Sequence, residues 1–252
     1  MTARRYLAFG AVLTLVIAAV TVLAYPAAAQ TLSLDMGQGG GSSTARIIQL
    51  MAVITVLSLA PSLLVMVTSF TRIIIVLSFL RTAMGTQQTP PSQVLVSLAL
   101  FMTFFIMQPV FEEAYDTGIQ PLIEGDIDEF EAFDRAVLPV QKFMIAHVRD
   151  QDLALFADIA AIPDKQVRAE LPLRILIPSF MISELRRAFE IGFLIFIPFL
   201  VIDMVVASVL MSMGMMMLPP IIIALPFKII FFVLVDGWYM IAGSLVRSFG
   251  AG

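Results

Sequence analysis

The chain has 252 residues, of which 60% are hydrophobic and only 13% are charged. A soluble globular domain has about 25% charged residues, so this composition favours a membrane protein. The absence of cysteine excludes a disulfide-stabilised secreted domain, a thiolate metal site and a thiol enzyme. With 15 Lys and Arg against 19 Asp and Glu, the chain has no basic surplus for binding nucleic acid.

Residues 1–29 have the three parts of a cleavable secretory signal. Arg4 and Arg5 precede an uncharged apolar stretch, which ends in small residues up to Ala29. We predict cleavage between Ala29 and Gln30; the alternative is that the segment remains as a first membrane anchor. The glycine-rich segment that follows, up to residue 45, has no apolar periodicity and is predicted to be flexible.

Residues 46–111 are predicted to form a first helical hairpin. A single helix over 47–80 would be about 51 Å long at ~1.5 Å per residue, which exceeds a hydrocarbon core of about 30 Å. We therefore expect a kink at Pro61, and Arg72 marks either a membrane edge or a site buried in protein. Turn-forming residues then precede a second charge-free run, 93–111.

Residues 112–172 are predicted to be an acidic helical region on the exterior side of the membrane. Positions 112–170 contain 14 of the 19 acidic residues and 5 of the 15 basic residues, a net charge of −9. From Phe130 to Val148, apolar residues recur every three or four positions, which predicts one apolar helical face. Pro139 is expected to start a second helix within this stretch.

Residues 173–252 are predicted to form a C-terminal helical hairpin. Gly214 and the Pro219-Pro220 pair divide its long apolar run into two segments. The alternating pattern of membrane strands occurs nowhere in the sequence, so the predicted fold is an all-α integral membrane protein built of helical hairpins.

Three isolated charges, Asp203, Lys228 and Asp236, interrupt the apolar C-terminal segments. A charge at mid-bilayer costs roughly 2.5–3.5 kcal/mol, so each is expected to have a partner or water. Lys228 predicts a nearby carboxylate, and the candidates are Asp203, Glu184 and Glu190. Asp236 is eight residues beyond Lys228, too far along one helix for direct contact. The alternative interpretation is a proton-conducting transporter that uses Asp203 and Asp236.

Five methionines occur within seven residues beside Gly214. Methionine side chains are flexible and polarizable, so a cluster of them can adapt to variable shapes. Repeated around an axis in an oligomer, such a loop would form an apolar constriction that closes a pore; the alternative is core packing. The five residues are Met211, Met213, Met215, Met216 and Met217.

No catalytic, cofactor-binding or metal-binding motif is found in the sequence. His147 is the single histidine, and phosphate-binding and zinc-protease motifs are absent. We therefore expect a non-enzymatic protein without a cofactor, for which a partner or an ion gradient supplies the energy of any transport.

Five specific sequence stretches follow one another within residues 45–249. They are Arg81–Pro91, Pro178–Phe193, Phe196–Asp203, Met213–Pro220 and Leu225–Trp238. These stretches resemble the FliP family, the P subunits of the bacterial flagellar type III protein export gate. The SctR-like subunits of injectisomes are the related alternative, and the predicted cleavable signal favours the flagellar system.

The resemblance implies a channel-forming subunit in the bacterial inner membrane, at the flagellar basal body. As a homo-oligomer, a pentamer, it would assemble with FliQ and FliR, work with the export components FlhB and FlhA, and pass unfolded flagellar proteins across the membrane. The resemblance also implies that the methionine-rich loop seals the closed pore. A salt bridge between neighbouring subunits would join Glu184 to Lys228.

Overall fold

The computed structural model describes residues 43–86, 88–161, 171–215 and 219–250. The predicted signal peptide, its cleavage site at Ala29 and Gln30, and nearly all of the glycine-rich segment lie outside these residues. Helices account for most of the described residues, and none of these residues lies in a strand. The prediction of an all-α fold is confirmed.

The described part of the chain contains nine α-helices and one π-helical turn. The helices are α1 (Ser43–Val67), α2 (Phe70–Met84), α3 (Ser92–Ala114), α4 (Gln120–Glu124), α5 (Glu129–His147), α6 (Asp150–Ile159), α7 (Leu173–Ser212), α8 (Pro220–Leu234) and α9 (Gly237–Gly250). The π-helical turn, Tyr115–Ile119, connects α3 directly to α4. Among the described residues, those up to Val53 belong to one unit and those from Ile54 to another, and the contacts below lie within the second unit.

Two continuous helical stretches, Ser92–Glu124 and Leu173–Ser212, are long and apolar enough to cross a membrane. Two bent helix pairs have the same character: the end of α1 meets α2 at 82°, and α8 meets α9 at 62°. By length and composition, the described residues therefore contain two candidate spans, or up to four if each bent pair is one span. This is the helix pattern of an integral membrane protein.

A kink was predicted at Pro61, but Pro61 lies inside α1. The first sharp bend occurs several residues later, between the end of α1 and the start of α2. Thr68 Oγ1 donates to the carbonyl of Leu64 at 2.6 Å, and Thr71 Oγ1 donates to the carbonyl of Val65 at 2.7 Å. These two hydroxyls satisfy carbonyls that the end of a helix leaves without an N–H partner. The threonines therefore stabilise the bend.

Pro139 is buried inside α5, so the prediction that it starts a second helix was wrong. The helix begins at an N-cap in which the Asp128 carboxylate accepts the N–H of Glu131 at 2.8 Å. The predicted apolar face lies along this helix, but only the C-terminal part of that face is buried against the rest of the chain. Met144 is buried, whereas Phe130 is 84% exposed.

The main core forms where α2, α3, α7 and α9 meet, with α5 packed beside them. Its fully buried members include Ile73, Val76, Leu77, Leu95, Ala99, Leu176, Phe180 and Leu245. A smaller cluster lies at the C-terminal end of α2, against α7 and α8. It consists of Leu80, Ala83, Met84, Phe199 and Phe232.

The C-terminal hairpin breaks where the sequence predicts. Helix α7 ends at Ser212 and α8 begins at Pro220, which occupies the first helical position that proline favours. The second predicted segment contains a further bend at Asp236, between α8 and α9, which was not predicted.

Candidate functional site

The methionine-rich loop starts from a well-defined helix end. Gly214 has a φ of 74°, in the left-handed region that glycine adopts without a steric penalty. The N–H of Met215 donates to the carbonyl of Leu210 at 3.0 Å, and the N–H of Gly214 donates to the carbonyl of Met211 at 3.1 Å. This pair of bonds is a Schellman motif, so the Met-Gly-Met sequence itself fixes how the chain leaves α7.

The described methionines of the loop project from the hairpin. Met211, Met213 and Met215 are 57%, 62% and 42% exposed. These three side chains are therefore not packed in the core of their own chain. Met216 and Met217 lie outside the described residues.

Lys228 connects three helices at the base of this hairpin. Its ammonium lies 2.6 Å from Asp203 Oδ2 on α7 and donates to the carbonyl of Ala83 at 3.1 Å. That carbonyl belongs to the last turn of α2. A cation is favourable there because the C-terminal end of a helix carries the negative end of the helix dipole. Lys228 is only 4% exposed, and Asp203 Oδ1 is buried without a partner. We call Lys228, Asp203 and the Ala83 carbonyl the Lys228 clamp.

Arg72 forms a second buried junction, on α2. Its Nε donates to Glu184 Oε2 at 2.8 Å, and its Nη2 donates to Glu184 Oε1. Nη1 donates to the hydroxyl and the carbonyl of Ser248 on α9, at 2.9 and 3.3 Å, and the guanidinium stacks on Phe249, 3.7 Å from the ring centre. Arg72 is 1% exposed, so it marks a site buried in protein and not a membrane edge. We call these four residues the Arg72 clamp.

Asp236 lies at the bend between α8 and α9 and is exposed. Its φ of 51° is in the left-handed region, which aspartate tolerates better than most residues. Gly237 follows it, and a Cβ there would collide with the ring of Phe232. Both residues therefore serve the geometry of the bend. Among the described residues, no hydrogen bond joins Asp236 to Asp203.

His147 is the last residue of α5, and its Nδ1 lies 2.8 Å from the carbonyl of Phe143. Its ring lies beside Phe249, with 5.2 Å between the ring centres. In the part of the chain that the structure describes, no three His, Asp or Glu side chains are grouped to bind a metal ion.

The FliP family model matches residues 53–245, which is most of the chain. This chain belongs to the FliP family. The flagellar biosynthetic protein FliP of Caulobacter vibrioides is 58% identical over 240 residues, which cover 94% of this chain and 90% of the relative. That of Bacillus subtilis is 55% identical over 202 residues, 80% of this chain and 91% of the relative. That of Agrobacterium fabrum is 53% identical over 211 residues, which cover 83% of this chain and 86% of the relative.

The residues that match the FliP family model include most of the functional residues predicted from the sequence and much of the two clamps. They include four of the clamp side chains, Arg72, Glu184, Asp203 and Lys228, and the whole methionine-rich loop. Ser248 and Phe249 of the Arg72 clamp lie beyond the last matched residue. The two ion pairs are thus part of the segment that defines this chain as a FliP family member.

Within this single chain, Glu184 and Lys228 each have a partner of their own. Glu184 is fully buried against Arg72, and Lys228 is bound to Asp203, one of the three candidates that the sequence offers. An isolated chain does not test the salt bridge expected between neighbouring subunits, which stays a prediction. Glu190, the third candidate, pairs instead with exposed Arg186, 3.0 Å away.

Proposed function

We propose that this FliP family member is a channel-forming core subunit of the flagellar type III protein export gate, through which unfolded flagellar proteins cross the inner membrane at the basal body. The observation on which this proposal rests is the family match over residues 53–245. The relatives in Caulobacter vibrioides and Bacillus subtilis are both named flagellar biosynthetic proteins, which supports the flagellar system over the injectisome.

The proposal assigns the regions of the chain as follows. Residues 1–29 are a cleaved signal, 30–45 a flexible segment, 112–172 the exterior region, and 46–111 and 173–252 the two hairpins. The subunit forms a homopentamer and works with FliQ, FliR, FlhB and FlhA.

The methionine-rich loop is the proposed seal of the closed pore. Met211, Met213 and Met215 are exposed at the end of an apolar hairpin, where one chain gives them no core to pack against. Brought together by several copies, their flexible side chains would pack on one another and exclude water from a narrow passage. No comparable observation favours a proton relay, because Asp203 is bound to Lys228 and Asp236 lies at a helix bend.

We predict that a single cysteine at Met213 will crosslink to an export substrate stalled in the gate. The chain has no cysteine of its own, so the introduced thiol is the only one in the subunit. The measurement is the yield of the subunit–substrate adduct when the stalled substrate also carries one cysteine. Met240→Cys is the matched control, since Met240 is similarly exposed but lies on α9. Equal yields from both positions would contradict a pore-lining loop.

Replacing Met213, Met215, Met216 and Met217 together with Ala is expected to leave assembly intact and make the closed gate leak small ions. Alanine removes the flexible thioether groups that fill the constriction. Ion flux through the purified oligomer in liposomes measures the leak, and Met240→Ala is the control. A quadruple variant that assembles and remains as tight as the parent protein would show that the loop is not the seal.

A further inference from the structure

One side of α3 is exposed and ends in an acidic residue. The residues on it recur every three or four positions, so they lie along a single face of the helix. The buried residues of α3, among them Leu95 and Ala99, lie on the opposite face, where they pack in the main core. We call the exposed face the α3 ridge; it consists of Val94, Ser97, Phe101, Phe105, Gln108 and Glu112.

A groove of about 330 Å³ lies between α2 and α7. Phe189 of α7 forms one side of it, and its ring meets the ring of Phe79 edge to face, with 5.0 Å between the ring centres. Gly192 lets α7 approach closely here, because a Cβ at this position would collide with Phe79. The groove is therefore formed before any partner arrives. Its lining residues are Ile74, Ile75, Ser78, Phe79, Thr82 and Phe189.

The ridge and the groove lie on opposite sides of the chain. Helix α2 packs in the main core through Ile73, Val76 and Leu77, together with the buried face of α3. The α2 residues Ile75 and Ser78, which line the groove, lie on the other side of that helix, since successive residues are about 100° apart. One chain can therefore insert its ridge into the groove of a second copy and still offer its own groove to a third. Contacts of this head-to-tail kind build rings.

Arg174 lies on the same side of α7 as Gly192, about five turns nearer the N-terminus. It is exposed, and none of the hydrogen bonds or ion pairs among the described residues involves it. A cation in the first turn of a helix is unfavourable, because that end carries the positive end of the helix dipole. A carboxylate from outside the chain would relieve this unfavourable charge.

The acidic end of the ridge and the first turn of α7 lie at similar heights, because adjacent residues of α5 bind both. Gln141 donates to the carbonyl of Leu171, just before α7, at 2.7 Å, and Lys142 lies 3.8 Å from Glu113 at the end of α3. The other end of the ridge lies near the Lys228 clamp, since a short turn joins the end of α2 to α3. From its first turn, α7 runs towards the same clamp. The ridge and the groove side of α7 thus present their charged and apolar parts in the same order.

We propose that the α3 ridge of one copy packs into the groove between α2 and α7 of a second copy, with Glu112 of the first paired to Arg174 of the second. This interface rests on the homo-oligomer proposed above and adds the two surfaces that meet in it. The exposed rings of Phe101 and Phe105 supply the apolar contact. A phospholipid is a poorer cover for the ridge, because the phosphate of its headgroup would repel Glu112.

The test is disulfide crosslinking in native membranes, since the chain has no cysteine of its own. A chain with Phe101→Cys and Ser78→Cys is expected to give, on oxidation, a ladder of linked copies that stops at the proposed pentamer. Gln108→Cys with Ile182→Cys is a second pair, nearer the charged end, and should give the same ladder. Phe101→Cys with Leu234→Cys is the matched control, because Leu234 is exposed on α8 and does not line the groove. We expect at least tenfold less product from the control.

The charge pair has its own variants. Glu112→Arg and Arg174→Glu should each slow crosslinking of the Phe101 and Ser78 pair by roughly threefold, because an exposed ion pair contributes only a little to binding. The two reversals together should restore the rate. Arg247→Glu, which changes another exposed arginine, should leave the rate as it was.

Four results would overturn the interface. An oligomer in which neither pair crosslinks would show that other surfaces join the copies, and the oligomer proposed above would stand. Linked dimers from Phe101→Cys alone would mean that two ridges meet. Labelling of the Phe101→Cys thiol by a maleimide dissolved in the bilayer, with no crosslink, would assign the ridge to lipid. A protein that is monomeric on size-exclusion chromatography would contradict both the interface and the oligomer.

Discussion

Replacing Glu184 with Gln is expected to destabilise the protein by about 3–5 kcal/mol, because Arg72 would stay charged and buried without its carboxylate. Arg72 and Glu184 are 1% and 0% exposed, so water cannot take the place of the lost partner. The contacts of Arg72 with Ser248 and Phe249 on α9 depend on the same guanidinium position. The variant should therefore unfold at a lower temperature in detergent and yield less of the proposed oligomer.

Two further variants show whether the effect comes from the buried charge. Glu190→Gln removes a carboxylate six residues along the same helix, but its pair with Arg186 is exposed and is worth less than about 1 kcal/mol. Arg72→Met combined with Glu184→Met removes both charges and should recover most of the stability lost in Glu184→Gln. A Glu184→Gln protein as stable as the parent would mean that the Arg72 clamp does not support the fold.

The parts of the fold that the sequence predicts are those set by local chemistry. Gly214 is needed at a left-handed position, and Pro219-Pro220 cannot continue a helix, so the hairpin break follows from residues that are close together in the chain. The all-α class follows equally from long apolar runs without alternation. Met211, Met213 and Met215 are exposed beside this break, and their sealing role stays a prediction.

The parts that the sequence does not predict depend on distant residues. Arg72 and Glu184 are 112 positions apart, and nothing in the spacing of charges selects one carboxylate over another. Ser248 and Phe249 carry no signal that they contact an arginine. Thr68 and its hydroxyl neighbours were a readable signal for the first bend, because hydroxyl groups clustered in an apolar run can bind free carbonyls at a helix end.

Lys228→Glu is expected to abolish assembly of the oligomer, since a second carboxylate would face Asp203 beside the carbonyl end of α2. Two carboxylates held this close together repel each other, and the Ala83 carbonyl would lose its donor. Adding Asp203→Lys restores an ion pair with the charges exchanged. We expect this double variant to recover assembly in part, because glutamate cannot donate to Ala83. Size-exclusion chromatography of the membrane-extracted complex measures the recovery.

A second double variant distinguishes the pairing within a chain from the salt bridge expected between subunits. It combines Lys228→Glu with Glu184→Lys, which would place a lysine against buried Arg72 in its own chain. Repulsion there should deepen the defect. Recovery of assembly with Glu184→Lys but not with Asp203→Lys would contradict the intrachain pairing as the determinant of assembly. It would mean that Glu184 and Lys228 exchange partners when subunits meet, since both are occupied within a single chain.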